Sequence, residues 1–330
     1  MTHRTFQFLF AIMISIAVVT LAGGIAYAQS TKVPIRIAVQ PNILPEIILR
    51  AQKTLEKKYG DKYDIRWIDV THAAPAIEAI VAREVDITDA GVLPLIQGRE
   101  RGLEYWAVAD AVGDVTGIVV RTDSAIRTAA DLKGKTLAFP GRGSWQHGLL
   151  QLALEGTGVS DSDINLVRAR FPEMPLLLEK KAVDGFSGAE PFMSMTLSKG
   201  QARLLFRPAS KLQQKEGTLI SGHVVARAGF AREHPDALRA FLKEFGDASR
   251  FIRNNPQEAA KIYAQVFPGV VTEDVFLYAV NHGLVYLADV KPRPEDWVKF
   301  IAFTNKAGLT KIADPKAFVK DYVHPEFVER

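Results

Sequence analysis

Cysteine is absent from the 330 residues. That absence removes disulfides, thiolate nucleophiles, iron–sulfur clusters and cysteine-ligated zinc together. It also removes the cysteine on which a bacterial lipoprotein anchor is built. Runs of like charge are missing too: 41 Lys and Arg against 37 Asp and Glu leave a net charge of only +4, and no block of about five like charges stands out. Nucleic acid is therefore a poor partner, because phosphate-driven binding needs a concentrated basic face. No tract of low complexity and no repeat at a fixed period occurs. Beyond residue 28 no apolar run approaches the roughly 18 residues of a membrane span.

Catalytic and metal signatures are equally scarce. His72, His147, His223, His234, His282 and His324 are scattered without H-x-x-x-H or H-E-x-x-H spacing, so no metal site is expected. Ser144 and His147 stand close together, but a hydrolase nucleophile elbow needs glycines where this chain has Arg142 and Gln146. The 134-GKT-136 step lacks the earlier phosphate-loop glycine, since residue 129 is alanine. The dinucleotide fingerprint fails for want of its third glycine in 141-GRGSWQHG-148. No pair of carboxylates reads as acid and base. The chain reads as a binder, not an enzyme, and no cofactor is expected.

What is present begins with a leader. After 1-MTHR-4 comes the apolar run 6-FQFLFAIMISIAVVTLAGGIA-26, closing on 26-AYA-28. This small-x-small ending predicts cleavage before Gln29 and export of a soluble mature chain. The remainder, with 48% hydrophobic and 24% charged residues overall, has ordinary globular composition and length for about two domains.

Apolar periodicity lays out an α/β order. Strand 35-IRIAVQ-40, a helix from Leu44 to about Tyr59, strand 63-YDIRWIDV-70, a helix over 74-APAIEAIVARE-84 and strand 85-VDIT-88 give a β-α-β-α-β rhythm. The rhythm resumes in 135–200, and the chain turns helical from Pro235 onward, with Leu238, Phe241, Leu242, Phe245 and Ile252 at helical spacing. Asn255 before Pro256, and Thr272 before Glu273, mark helix starts. Glycines near 113–117 and 217–222 mark two crossings between two α/β lobes. One lobe would take residues 33–114 and 220–330, the other 115–219, with a ligand cleft between them that closes about the crossings.

The most informative stretch is 139-FPGRGSWQHGLLQLALEGTG-158, a glycine-rich turn running into an amphipathic helix. Gly141 and Gly143 let the backbone approach a ligand closely. The first amides of the helix, near Ser144, Trp145 and Gln146, lack intrahelical acceptors and sit at its positive end. Such an end suits a sulfonate, carboxylate or nitrate. The plain alternative is an ordinary strand-to-helix turn with a serine cap.

Several segments in order carry a resemblance: 79-AIVAREVDITDAGVLPLI-96, D-L-K-G-K-T at 131–136 followed by G-S-x-x-H at 143–147, and A-V-D-G-x-x-x-x-E-P-F at 182–192. Together they resemble the nitrate/sulfonate/taurine group of periplasmic substrate-binding proteins that serve ABC importers, across essentially the mature chain. The resemblance implies a type II periplasmic binding protein fold, two α/β lobes joined by two crossing strands with one ligand between them. It implies a monomer in the periplasm that delivers a small organic anion to a permease with its ATPase. It also implies a cleft lined by Gln40 and Pro41, by Asp89, Ala90 and Gly91, by Thr116 at the first crossing, by Ser144, Trp145 and Gln146 at the anion turn, and by Glu190 of the E-P-F loop; Arg142, beside that turn, is a further candidate.

Two departures bear on the ligand. The segment 41-PNILPEIIL-49 is aliphatic where family members often carry an aromatic and small residues, and 88-TDAG-91 puts Asp89 in place of a glycine-rich run. An acid beside the cleft disfavours a bare anion such as nitrate and favours an aminosulfonate or a larger organic anion. Arg142 either offsets that acid or faces solvent; Glu190 is either a ligand contact or a first-turn acid; Trp145 either touches ligand or packs the turn against its lobe. A binder of a thiamine-pyrimidine precursor or an aromatic carboxylate on the same fold is the alternative, and an enzyme built on it a more distant one.

Overall fold

A computed structural model describes residues 32–40, 45–113, 115–210, 220–269, 271–287 and 290–328. The expected leader and Pro41 lie outside these residues, as do Asp114 and the first part of the second glycine-marked crossing.

The strands are β1 (Val33–Val39), β2 (Tyr63–Asp69), β3 (Ile87–Gly91), β4 (Tyr105–Gly113), β5 (Thr116–Arg121), β6 (Thr136–Phe139), β7 (Asn165–Arg168), β8 (Gly185–Ala189), β9 (Ala202–Phe206), β10 (Ile220–Arg227) and β11 (Tyr286–Leu287). The helices are α1 (Pro45–Gln52), α2 (Thr54–Tyr59), α3 (Ala73–Val81), α4 (Val92–Glu100), α5 (Trp145–Leu154), α6 (Met174–Glu179), α7 (Phe192–Leu197), α8 (Ala228–Glu233), α9 (Pro235–Asn254), α10 (Pro256–Val266), α11 (Glu273–Asn281), α12 (Pro294–Lys306) and α13 (Pro315–Tyr322).

Two sheets result. The first runs β11-β4-β10-β3-β1-β2 and the second β7-β6-β8-β5-β9. In the first, β1 and β3 are parallel, as expected of strands joined through helices, while β10 enters antiparallel between β3 and β4. The chain leaves the first sheet at the end of β4, enters the second with β5, and returns as β10 beside β4. Across that β4–β10 pair, the His223 Nδ1 and Asp110 Oδ1 atoms lie 2.9 Å apart, and the His223 ring stands against Trp297.

One hydrophobic core draws on both sheets. It includes Ala38, Ala107 and Val225 from the first, Ile118 and Leu137 from the second, and Leu93, Trp145 and Phe300 from α4, α5 and α12. A smaller core on the second sheet gathers Val119, Met174, Phe186 and Met193. The long amphipathic helix expected from Pro235 is α9, and its Leu238, Phe241, Leu242, Phe245 and Ile252 are all buried.

One local signal fails, and a second holds in part, since α10 does begin at Pro256. The helix expected over 44–59 is divided at Lys53, whose φ of 52° lies in the left-handed region and ends α1 before α2 begins. Asn255 does not cap α10 with its side chain; its Nδ2 donates back to Phe251 O at 3.3 Å. Thr272 does cap its helix, accepting from Val275 N at 3.3 Å.

Candidate functional site

Strand ends converge on one cavity of about 860 Å³. Of the eleven expected residues, ten line it: Gln40, Asp89, Ala90, Gly91, Thr116, Arg142, Ser144, Trp145, Gln146 and Glu190. Pro41 lies outside the described residues.

The first sheet contributes through adjacent β1 and β3. Their register aligns Ile37 with Ile87, which brings Gln40 beside Asp89 at the strand ends. There Gln40 Nε2 donates to the Asp89 backbone oxygen at 2.8 Å and to Asp89 Oδ2 at 3.0 Å. From the second sheet, β5 pairs Thr116 with Ala189 of β8, so Glu190 follows directly beside the crossing and its amide donates to Val115 O at 2.8 Å.

The glycine turn is built by its own hydrogen bonds. Gly141 and Gly143 have φ of 140° and 81°, values that side-chain-bearing residues rarely adopt. Ser144 Oγ donates to Gly141 O at 2.7 Å and accepts from His147 N at 3.2 Å, which makes it the N-cap of α5. The amides of Trp145 and Gln146 then stand at the helix start without intrahelical acceptors, and both residues line the cavity. Ser144 and His147 are not wired as nucleophile and base. The His147 ring is directed to Asp161, with Nε2 and Oδ2 2.9 Å apart, and its Nδ1 accepts from Gly143 N at 3.4 Å.

Two expected roles change with this geometry. Arg142 lines the cavity with its residue, but its guanidinium donates to Asp161 Oδ2 at 2.6 Å, on its own side of the site, and does not offset Asp89. The hydrogen bond from His147, with help from Arg142, holds the Asp161 carboxyl below its usual range. Trp145 is 3% exposed; its Nε1 donates to Thr116 Oγ1 at 2.9 Å and its ring stands 5.1 Å from that of Phe300. It therefore anchors the turn to the crossing strand and to α12.

The acids of the site are buried and only partly satisfied. Burial pushes the Asp89 carboxyl up to about 6, against the hydrogen bonds that favour its charge. Burial likewise pushes Glu190 up to about 7, opposed by its bonds from Ser194 and by the charge of Arg207. Glu190 Oε2 accepts from Ser194 N at 3.2 Å, while Oε1 has no partner among the described residues. Two cations that sequence reasoning missed, Arg101 after α4 and Arg168 at the end of β7, also line the cavity. Neither sits in a motif; Arg168 is brought to the site by the pairing of β7 with β6.

Residues 64–259 match the profile of the family described as "NMT1/THI5 like", which covers more than half of the chain. The chain belongs to the NMT1/THI5-like family. A relative from Bacillus subtilis (strain 168), named as an aliphatic sulfonates-binding protein, is 26% identical over 90% of this chain and 87% of its own length. A relative from Haemophilus influenzae, named as a thiamine biosynthesis protein, is 25% identical over 81% of this chain and 84% of its own. Among solved structures, the alkanesulfonate-binding protein SsuA of Xanthomonas axonopodis pv. citri, bound to MOPS, superposes with a TM-score of 0.74 at 22% identity, covering 88% of this chain and 98% of that one. This NMT1/THI5-like chain thus has the fold of the periplasmic binding proteins.

Proposed function

We propose that the chain is an exported solute-binding protein that captures a small organic anion of the sulfonate class in the 860 Å³ cavity and delivers it to an ABC importer. One observation carries the reading: strand ends from both sheets and the open start of α5 meet at a single cavity. The amides of Trp145 and Gln146 would take the anionic head. Arg168 and Arg101 add positive potential at the rim, and the first and second sheets act as lobes that close about the β4–β5 and β9–β10 crossings. The relatives' names support the same class of ligand. Binding in place of catalysis is supported by the wiring of His147, which leaves Ser144 without a base.

The alternative ligand, an aminopyrimidine precursor of thiamine, has one observation in its favour. Buried carboxyls at Asp89 and Glu190 suit ring amino groups.

Thermal melting of residues 29–330 against taurine, alkanesulfonates, aromatic carboxylates, nitrate and formylaminopyrimidine tests both readings. A ligand that binds only the folded form at 100 times its Kd stabilises by about 2.7 kcal/mol. The expected result is a shift with a sulfonate that Ser144→Pro abolishes. A shift with the pyrimidine alone would move the assignment to the thiamine branch, and silence across the panel would refute the anion reading.

A further inference from the structure

Beneath the cavity floor lies a second carboxyl that belongs to no motif. Glu46, in the first turn of α1, is 2% exposed, and Asp89, which forms the floor, is 5% exposed. Both border a small gap closed by Ile37, Val224, Phe241 and Phe245. Neither oxygen of Glu46, nor Asp89 Oδ1, has a hydrogen-bond donor among the described residues. Among the described residues, the elements around the gap supply no counter-charge. β1 presents Ile37 and Ala38, β3 presents Ile87 and Thr88, β10 presents Val224, and α9 presents Phe241 and Phe245. The nearby acid of α9, Glu244, is turned to Lys58 and Tyr59.

Two ionised carboxylates side by side in such a place would lack solvent and a cation, and only Asp89 would have a donor, Gln40 on its Oδ2. One proton relieves these shortages, because a carboxylic acid donates to its carboxylate neighbour and only one charge stays buried. The directions of titration agree: burial, and then the charge of Asp89, drive Glu46 far above its usual range, whereas burial raises Asp89 only to about 6, the bond from Glu46 opposing the rise. Glu46 is thus the acid and Asp89 the acceptor.

We propose that Glu46 and Asp89 hold a single proton between them, and that this pair makes the cavity floor an acceptor site for an amino, ammonium or hydroxyl group on the bound anion. Its ligand-selecting half rests on the sulfonate reading above. The proton on Glu46 keeps Asp89 charged yet positioned, with Gln40 holding its other oxygen. Glu190, from the second sheet, offers a further unpartnered carboxyl oxygen to the same cavity. The ligand class that follows is an anion carrying a donor away from its head, and a plain alkyl anion is disfavoured.

The test has two arms on the mature chain. Carbon-detected NMR of the side-chain carboxyls, in unliganded protein at about pH 8.5 where Glu190 has lost its proton, should show a protonated carboxyl that disappears in Glu46→Gln; ionised carboxyls at both Glu46 and Asp89 would overturn the pair. Calorimetric titration with taurine and with ethanesulfonate, which differ only in the amino group, should give at least tenfold tighter binding of taurine, falling to near parity in Asp89→Asn. Equal affinity in the unaltered protein would overturn the selection. If neither sulfonate binds, the sulfonate reading and the selection built on it both fall, and the NMR arm still decides whether the pair exists.

Discussion

The two walls of the cavity are built in opposite ways. The glycine turn on the second sheet is finished: Ser144, His147, Asp161 and Arg142 satisfy one another within a span of 21 residues of chain, 141–161. The floor on the first sheet is unfinished. Asp89, Glu46 and, facing from the second sheet, Glu190 keep carboxyl oxygens with no partner among the described residues. A self-satisfied turn can be exact in shape before any ligand arrives, and preorganised amides lose little on binding. The unfinished floor instead holds a standing cost that only a donor or a proton relieves. On the proposed reading, one wall supplies geometry and the other selectivity.

The largest way to break this comparison is at the anchor of the finished wall. Trp145→Ala removes a buried indole, its bond to Thr116 and its contact with Phe300, and should cost about 3–5 kcal/mol in chemical denaturation. Little loss would mean that the turn is held from elsewhere.

Next comes the unfinished wall, through pH. Glu190 has a folded value of about 7 against an ordinary 4.5. As pH rises, the unfolded chain gives up this proton first, so folding is progressively disfavoured between about pH 4.5 and 7, and below that window the cost vanishes. Glu190→Gln should therefore raise stability at pH 8 by up to about 3 kcal/mol relative to the parent and make no such difference at pH 4. Equal stability differences at both pH values would show that the carboxyl is ionised without cost.

A smaller effect is expected for the cap. Ser144→Ala should lower stability by about 1 kcal/mol and weaken anion binding, because the first turn loses the bond that fixes it. Smallest of all is Arg142→Ala. Its side chain is 65% exposed, and its pair with Asp161 is a surface one, so the melting midpoint should hardly move, corresponding to less than about 1 kcal/mol. A large loss of ligand affinity in that variant would restore Arg142 to the binding site.

Legibility in the sequence followed the same division. The turn could be read because its signals are local: two glycines, a serine cap and an apolar helix face within a few residues. Much of the α/β order was equally legible, from alternation and helical periodicity. Asp89 stood out because it interrupts an expected glycine-rich run, but its partner did not. Glu46 reads as an ordinary first-turn acid, and only the burial of all five residues Pro45–Leu49 turns it inward. Its sole trace in the sequence is a single acid inside the aliphatic stretch 43-ILPEIIL-49. Arg168 was hidden for a different reason, since it reaches the cavity through the pairing of β7 with β6, a contact that no local pattern encodes. The division at Lys53 escaped because a left-handed residue other than glycine leaves no propensity signal.

The indole of Trp145 sits where the anion turn, the first crossing strand and α12 touch one another. The other three tryptophans are engaged elsewhere: Trp67 with Glu56, Trp106 with His324, and Trp297 with His223. The protein thus carries a built-in optical gauge. Light emitted by Trp145 is expected to change colour or intensity on ligand addition, and the signal should vanish when that one ring is replaced by phenylalanine.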